Sequence, residues 1–251
     1  MSIRLNVLID TSVLSHGQFA RTIGVEVPGW GNSLALIEAK KARPSNEIWL
    51  RRQIESLPTV ARMAKEECIV LHSYSELDAE FDRGGSFPGG APGDAFAGVP
   101  IKSVAAPLDR AMFYQVPIAE FVSTSSQIEY CTWLLKDGLK LLEKPKLVEK
   151  LNEQQIFALQ NLPRYREICS SLVPAQYVDA LHLWTGELNS IDVFLTMDRT
   201  FRNALGNNRK IVLRCTPLGP CELLDKLEVT DRDPLPFEYG RRYLLNGVPY
   251  E

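Results

Sequence analysis

The sequence predicts an α/β fold in which a parallel central sheet is flanked by helices. Short apolar runs typical of buried strands occur at residues 3–9, 68–71, 191–195 and 210–215. Helical stretches separate these runs, and strands connected through helices usually pair in parallel. With 45% hydrophobic and 24% charged residues among 251, the chain has enough apolar material for such a core.

The first predicted strand ends in three polar residues. Residues 3–9 lead directly into Asp10, Thr11 and Ser12. In open α/β sheets, ligands bind beyond the carboxyl ends of the strands, so this is a candidate site. The same residue types also cap helices, and capping is compatible with metal binding.

Next along the chain, the pattern predicts a second strand and the helices around it. The predicted elements are a loop over 16–31, a short helix over 33–42, a helix over 46–67 bent at Pro58, and a strand over 68–71. A capped helix over 73–81 follows and carries Glu76 and Glu80 one turn apart.

The middle of the chain predicts a long insert at about residues 84–172. Glycine and proline leave no periodic apolar pattern over 84–107, which indicates an irregular loop. Phe87 and Phe96 in this loop could stack on nucleic-acid bases, but packing against the body is the favoured interpretation. Helices follow from residue 126 to residue 172. The insert interrupts a domain over 1–228, and a proline- and tyrosine-rich tail over 229–251 is predicted to pack as an irregular strap.

Residues 177–201 predict a helix, a turn and a strand, with an acid at each end of the unit. Asp179 lies early on the helix, and Asp198 follows the strand after Thr196. Taken singly, these residues are best explained as a solvated helix aspartate and a turn aspartate, since charged side chains are mostly exposed. In a parallel sheet, however, Asp10 and Asp198 would share one edge.

Several carboxylates at one edge repel each other unless a cation is present. Oxygen-only sites suit hard divalent ions, here Mg²⁺ or Mn²⁺. Two such ions can activate a water and stabilise the leaving oxygen during phosphodiester cleavage.

Three motifs together resemble a PIN domain. They are VLIDTS at residues 7–12, DALH at 179–182 and FLTMDRTF at 194–201, and the stretch at 211–217 resembles that family's last strand. The resemblance implies a metal-dependent ribonuclease with a three-layer α/β/α fold, acting on RNA. It also implies an antitoxin or other protein partner, as for many toxins of toxin–antitoxin pairs, and a homodimer.

The resemblance also assigns roles to individual residues. Asp10, Asp179 and Asp198 match the family's catalytic, metal-binding acids. Thr11, Ser12 and Thr196 match its flanking hydroxyls, which are assigned to substrate binding. A fourth acid is expected on the helix after the second strand, where Glu80 is the better match and Glu76 the alternative.

The net charge of the chain limits how it could bind nucleic acid. A net charge of −3 gives no overall attraction to nucleic acid, so a local basic patch is needed. Arg199 and Arg202, with Arg209 and Lys210 beyond, are predicted to contact phosphates. The alternatives are an ordinary solvated turn, or a patch around Lys102, Arg110 and Phe96 in the insert.

The predicted location is the cytoplasm. Five scattered cysteines without a CxxC pair favour a reducing compartment, and no apolar run is long enough to span a membrane. A catalytically inactive PIN-like scaffold that binds RNA or protein remains the alternative function. A phosphatase of the haloacid dehalogenase type is a third option for the first strand. It would need a second aspartate at the position of Ser12, so the serine argues against it.

Overall fold

A parallel five-stranded sheet forms the centre of the protein. The structure, a computed structural model, describes residues 4–27, 29, 33–83, 92–112, 118–121, 123–206 and 211–250. Across the sheet the strands are β5 (Ile101–Ser103), β4 (Ile69–Ser73), β1 (Leu5–Ile9), β6 (Val193–Leu195) and β7 (Thr216–Leu218), and all neighbours pair in parallel. The predicted α/β class with a helix-flanked parallel sheet is confirmed.

Helices cover both faces of this sheet. In chain order they are α1 (Thr11–His16), α2 (Ile48–Glu55), α3 (Leu57–Lys65), α4 (Ser75–Arg83), α5 (Ile118–Phe121), α6 (Thr124–Asp137), α7 (Pro145–Val148), α8 (Glu153–Gln160), α9 (Leu162–Cys169), α10 (Tyr177–Leu188), α11 (Arg199–Gly206) and α12 (Pro220–Lys226). Short 3-10 turns lie at Ser45–Glu47, Arg110–Met112, Gly138–Glu143 and Pro174–Gln176. Among the described residues, no helix has the length and apolar character needed to cross a bilayer.

The alternation of side chains along the central strands creates a hydrophobic core on each face of the sheet. Leu8 and Phe194 pack on the face covered by α6, α9 and α10. Val7 and Val193 pack on the opposite face, against α1, α2, α3 and α12. Because β1 and β6 are buried on both faces, their carboxyl ends are held in fixed positions.

A second, antiparallel sheet was not predicted. It contains β2 (Ala20–Glu26), β3 (Ser33–Ala39), β8 (Arg242–Leu244) and β9 (Pro249–Tyr250) in that order. The predicted loop over 16–31, helix over 33–42 and irregular tail over 229–251 were therefore wrong in these parts. A short apolar run does not distinguish helix from strand by itself, and here pairing between β3 and β8, remote in sequence, decides the outcome.

Three further elements differ from the prediction in detail. The helix predicted over 46–67 is two helices, with Pro58 in the first turn of α3 where proline is tolerated. The last strand of the central sheet begins at Thr216 rather than within 210–215, since Pro217 can be accommodated in an edge strand. β5 lies inside the segment predicted to be only a loop, because three residues are too few to show a periodic pattern.

Candidate metal centre

The carboxyl ends of β1 and β6 bring Asp10 and Asp198 to the same edge of the sheet. The backbone N–H of Asp10 donates to the carbonyl of Leu195 at 3.0 Å and continues the pairing of the two strands. The Thr196 hydroxyl donates to Asp10 Oδ2 at 2.6 Å and accepts from the backbone N–H of Asp198 at 3.1 Å. One buried threonine therefore links the two acids.

Asp10 is buried, with 6% of its surface exposed, and hydroxyl groups surround it. Ser12 Oγ and Thr196 Oγ1 both donate to Oδ2. Thr11 Oγ1 lies 3.3 Å from Asp10 Oδ1 and 3.3 Å from Glu80 Oε2, so it bridges the first strand and α4. In the structure, each of these three hydroxyls, which the resemblance assigned to substrate binding, contacts Asp10 and orients its carboxylate.

Asp179 lies in the first turn of α10, and its carboxyl group interacts electrostatically with the other predicted acids. Burial raises its pKa to about 7, and the negative charges of Asp10, Asp198 and Glu80 add to the effect, while His182 opposes it. The four acids predicted from the sequence therefore interact electrostatically in one cluster, which we call the acid cluster.

The structure separates the two candidates for the fourth acid. Glu80 contacts Thr11 beside Asp10. Glu76 instead forms a buried ion pair with Arg110 at 2.9 Å, in which the two side chains are 6% and 0% exposed. Glu80 is therefore the member of the acid cluster, and Glu76 has a structural partner on the side of the insert.

Two residues that received no role from the sequence hold Glu80. Gln127 Nε2 donates to Glu80 Oε1 at 2.7 Å, and His182 Nε2 lies 3.2 Å from the same oxygen. Burial alone would lower the pKa of His182, but Glu80 and the neighbouring aspartates raise it to about 9, so the ring is charged at neutral pH. The sequence did contain a signal for His182. It lies three residues after Asp179, and residues at this spacing share one face of a helix.

The predicted basic residues have different surroundings. Arg199 is exposed at the start of α11, whereas Arg202 pairs with Glu222 at 2.7 Å and its side chain is only 14% exposed. Arg202 is thus half-buried and paired with a carboxylate, whereas Arg199 is the more accessible of the two. Arg209, Lys210 and Phe87 lie outside the described residues.

The alternative patch in the insert does not form. Arg110 is fully buried in its pair with Glu76, and Phe96 is packed in the core at 1% exposure, as its favoured interpretation predicted. Of that patch, only Lys102 on β5 is exposed.

The donor chemistry of the acid cluster fits a divalent cation, although the cluster is not a closed cage. Within the described part of the chain, no three His, Cys, Asp or Glu side chains are already arranged to hold a metal ion. Burial is the main cause of the raised pKa of Asp179, and the negative charges of the other acids add to it; a cation would offset those charges. Magnesium retains several waters and binds through few carboxylates, so a preformed cage is not required.

Neither a protein-family model nor a curated protein matches the chain.

The raised pKa of Asp179 predicts a pH-dependent stability in metal-free buffer. Unfolded Asp179 titrates near its ordinary value of 3.8, whereas the folded protein retains the proton to about pH 7. Between these values the folded state binds more protons, so the free energy of unfolding should fall as pH rises. Denaturant unfolding from pH 4 to pH 7 in EDTA should show a weaker fall for Asp179→Asn than for wild type.

The exposed Asp231→Asn provides the control for that experiment and should retain the wild-type slope. If Asp179→Asn also retains it, Asp179 does not have the raised pKa.

Proposed function

We propose that the protein is a divalent-metal-dependent ribonuclease of the PIN type that hydrolyses RNA phosphodiester bonds at the acid cluster. The observation that carries the proposal is the meeting of Asp10 and Asp198 at adjacent central strands, linked through Thr196. Asp179 and Glu80 come from different helices and complete a four-acid set. These are the residues that the resemblance to PIN domains assigned to metal binding.

Three of the four acids have a distinct support that fits this role. Asp10 is oriented by three hydroxyls, and Asp198 caps α11 by accepting the backbone N–H of Phe201 at 2.8 Å. His182 and Gln127 orient Glu80. Such fixed supports reduce the reorganisation needed when charge develops in the reaction.

Asp10, Asp179, Asp198 and Glu80 would hold Mg²⁺ or Mn²⁺. When bound, the metal supplies a water of lowered pKa and stabilises charge on the scissile phosphate. The charged ring of His182 keeps Glu80 in place and offsets part of the cluster's negative charge.

A catalytically inactive PIN-like scaffold is the second candidate function. The absence of a closed metal cage among the described residues is the observation that favours it. A scaffold would bind RNA or a protein partner without cleaving RNA in the presence of metal.

Incubation of the purified protein with RNA separates the two functions. We expect cleavage of a mixture of single-stranded and structured RNAs with Mg²⁺ or Mn²⁺, and none with EDTA. Retention of intact RNA in all three conditions would contradict the ribonuclease and leave the scaffold.

A further inference from the structure

Positive charge is concentrated in the segment that joins β3 to α2. Residues 40–52 contain five basic side chains and one acidic one, in a chain whose net charge is −3. All five basic residues are exposed, namely Lys40, Lys41, Arg43, Arg51 and Arg52. We call residues 40–52 the basic segment.

The basic segment contacts, at two points, elements that lead to the acid cluster. Lys40 Nζ donates to the carbonyl of Ser15 at 3.1 Å, near the end of α1, the helix that begins directly after Asp10. A helix of six residues is only about 9 Å long. At the other point, the guanidinium of Arg199, the residue after Asp198, lies 5.5 Å from the centre of the Trp49 ring.

Ion pairs within the segment leave much of its charge available. Arg43 and Glu47 are 3.8 Å apart, Arg51 and Glu55 are 2.7 Å apart, and all four side chains are more than a third exposed. Exposed pairs of this kind are weak and readily exchange partners.

His16 adds no charge of its own beside the basic segment. Burial, followed by the charges of Arg43 and Lys40, lowers its pKa to about 4, so the ring is neutral beside these cations.

Trp49 gives Arg199 a defined position. The Trp49 ring is half-buried, and both Arg199 and Arg202 lie 5.5 Å from its centre. Arg202 is held by Glu222, whereas Arg199 remains exposed beside Asp198. Cation–π contact therefore restricts the guanidinium that is nearest in sequence to the acid cluster.

We propose that the basic segment and Arg199 form a track for the phosphate backbone of a single RNA strand leading to the acid cluster, with Trp49 as the residue that positions Arg199. This inference rests on the proposed ribonuclease function. The occupant follows from charge, because a polyanion is the complement of a dense basic track in an acidic protein. A single strand suits it better than a duplex, because single-strand-binding surfaces combine basic side chains with aromatic rings, and the contact of Arg199 with Trp49 supplies that combination.

The test measures RNA binding in EDTA, where no cleavage is expected. The triple variant Lys40→Ala/Lys41→Ala/Arg43→Ala is compared with Lys144→Ala/Lys146→Ala/Lys150→Ala, which removes three exposed charges from around α7. A fluorescent single-stranded RNA is titrated by anisotropy at several salt concentrations. For single strands the log–log salt slope falls by roughly 0.7 for each lost phosphate contact, so the first variant should lose about two units and the control none.

Trp49 is tested by partial rescue. Trp49→Leu should weaken binding and flatten the slope as Arg199→Ala does, whereas Trp49→Phe, which keeps an aromatic face, should retain most of the wild-type affinity. If Trp49→Leu and Trp49→Phe weaken RNA binding equally, Trp49 does not position Arg199.

The track is overturned if both triple variants bind with the wild-type salt slope, if wild-type protein does not bind the RNA, or if a duplex of the same sequence binds more tightly. These outcomes are distinct from failure of the proposed function. Cleavage by a wild-type protein whose binding ignores the basic segment would reject only the track. Track-dependent binding without cleavage in Mg²⁺ or Mn²⁺ would reject only the ribonuclease.

Discussion

Replacing Asp10 by asparagine is expected to lower the rate of RNA cleavage at least about 100-fold, the usual loss when one preorganised group that stabilises the transition state is removed. Asparagine has the same shape, and the hydroxyls around Asp10 can either donate to it or accept from it. The variant should therefore fold normally and lose only the charge that would hold a cation. Single-turnover cleavage with saturating Mg²⁺ measures the effect.

Asp225→Asn is the matched control, because Asp225 is an exposed carboxylate in a surface pair with Arg232. It should cleave at the wild-type rate. If the Asp10 variant also does so, the acid cluster is not the catalytic site.

The largest effect on stability is expected from breaking the buried pair of Glu76 and Arg110. The guanidinium donates to both Glu76 oxygens, to Ser126 and to the carbonyl of Phe121. Arg110→Met should lower the free energy of unfolding by roughly 3–5 kcal/mol, because it leaves a buried carboxylate without this partner. Denaturant unfolding at neutral pH measures the loss.

Two variants give that experiment its controls. Adding Glu76→Leu to Arg110→Met should restore most of the stability, since an apolar pair can replace a buried ion pair. Lys140→Met, which breaks an exposed pair with Asp137, should cost less than about 1 kcal/mol. A loss for Arg110→Met no greater than that for Lys140→Met would show that the pair does not stabilise the fold.

The central sheet and the acids at its edge were predictable because local sequence signals determine them. An apolar run followed by a polar residue indicates a buried strand with a candidate site at its end, and this pattern correctly placed Asp10 and Asp198 together. Asp179 was found through its position before β6 and through the resemblance to PIN domains. The choice between Glu80 and Glu76 needed the structure, because helical spacing places both near one face of α4 and only Arg110 distinguishes them.

What the sequence did not predict depends on contacts between distant segments. β3 is a strand because it pairs with β2 and with β8, about two hundred residues away. Arginine is usually a surface residue, but Arg110 is buried and Arg202 is half-buried, and each pairs with a glutamate that only the fold brings near. The basic segment was overlooked because its relation to the acid cluster depends on α1 and on the contact of Trp49 with Arg199.

The most direct test of the acid cluster as a metal site is divalent-ion binding by wild type and Asp198→Asn. Asparagine also caps helices, so this variant should keep the contact with Phe201. In EDTA it should melt at or above the wild-type temperature, because one repelling charge is gone. The concentration of free Mn²⁺ is measured by electron paramagnetic resonance. In a second experiment, the melting temperature is measured as Mg²⁺ is added.

Wild-type protein should bind Mn²⁺ and gain about 2.7 kcal/mol of stability when Mg²⁺ reaches a hundred times its dissociation constant. Asp198→Asn should bind less Mn²⁺ and lose this gain. Equal Mn²⁺ binding and equal Mg²⁺-induced shifts in the two proteins would contradict the assignment of Asp198 as a ligand and, with it, the metal centre proposed here.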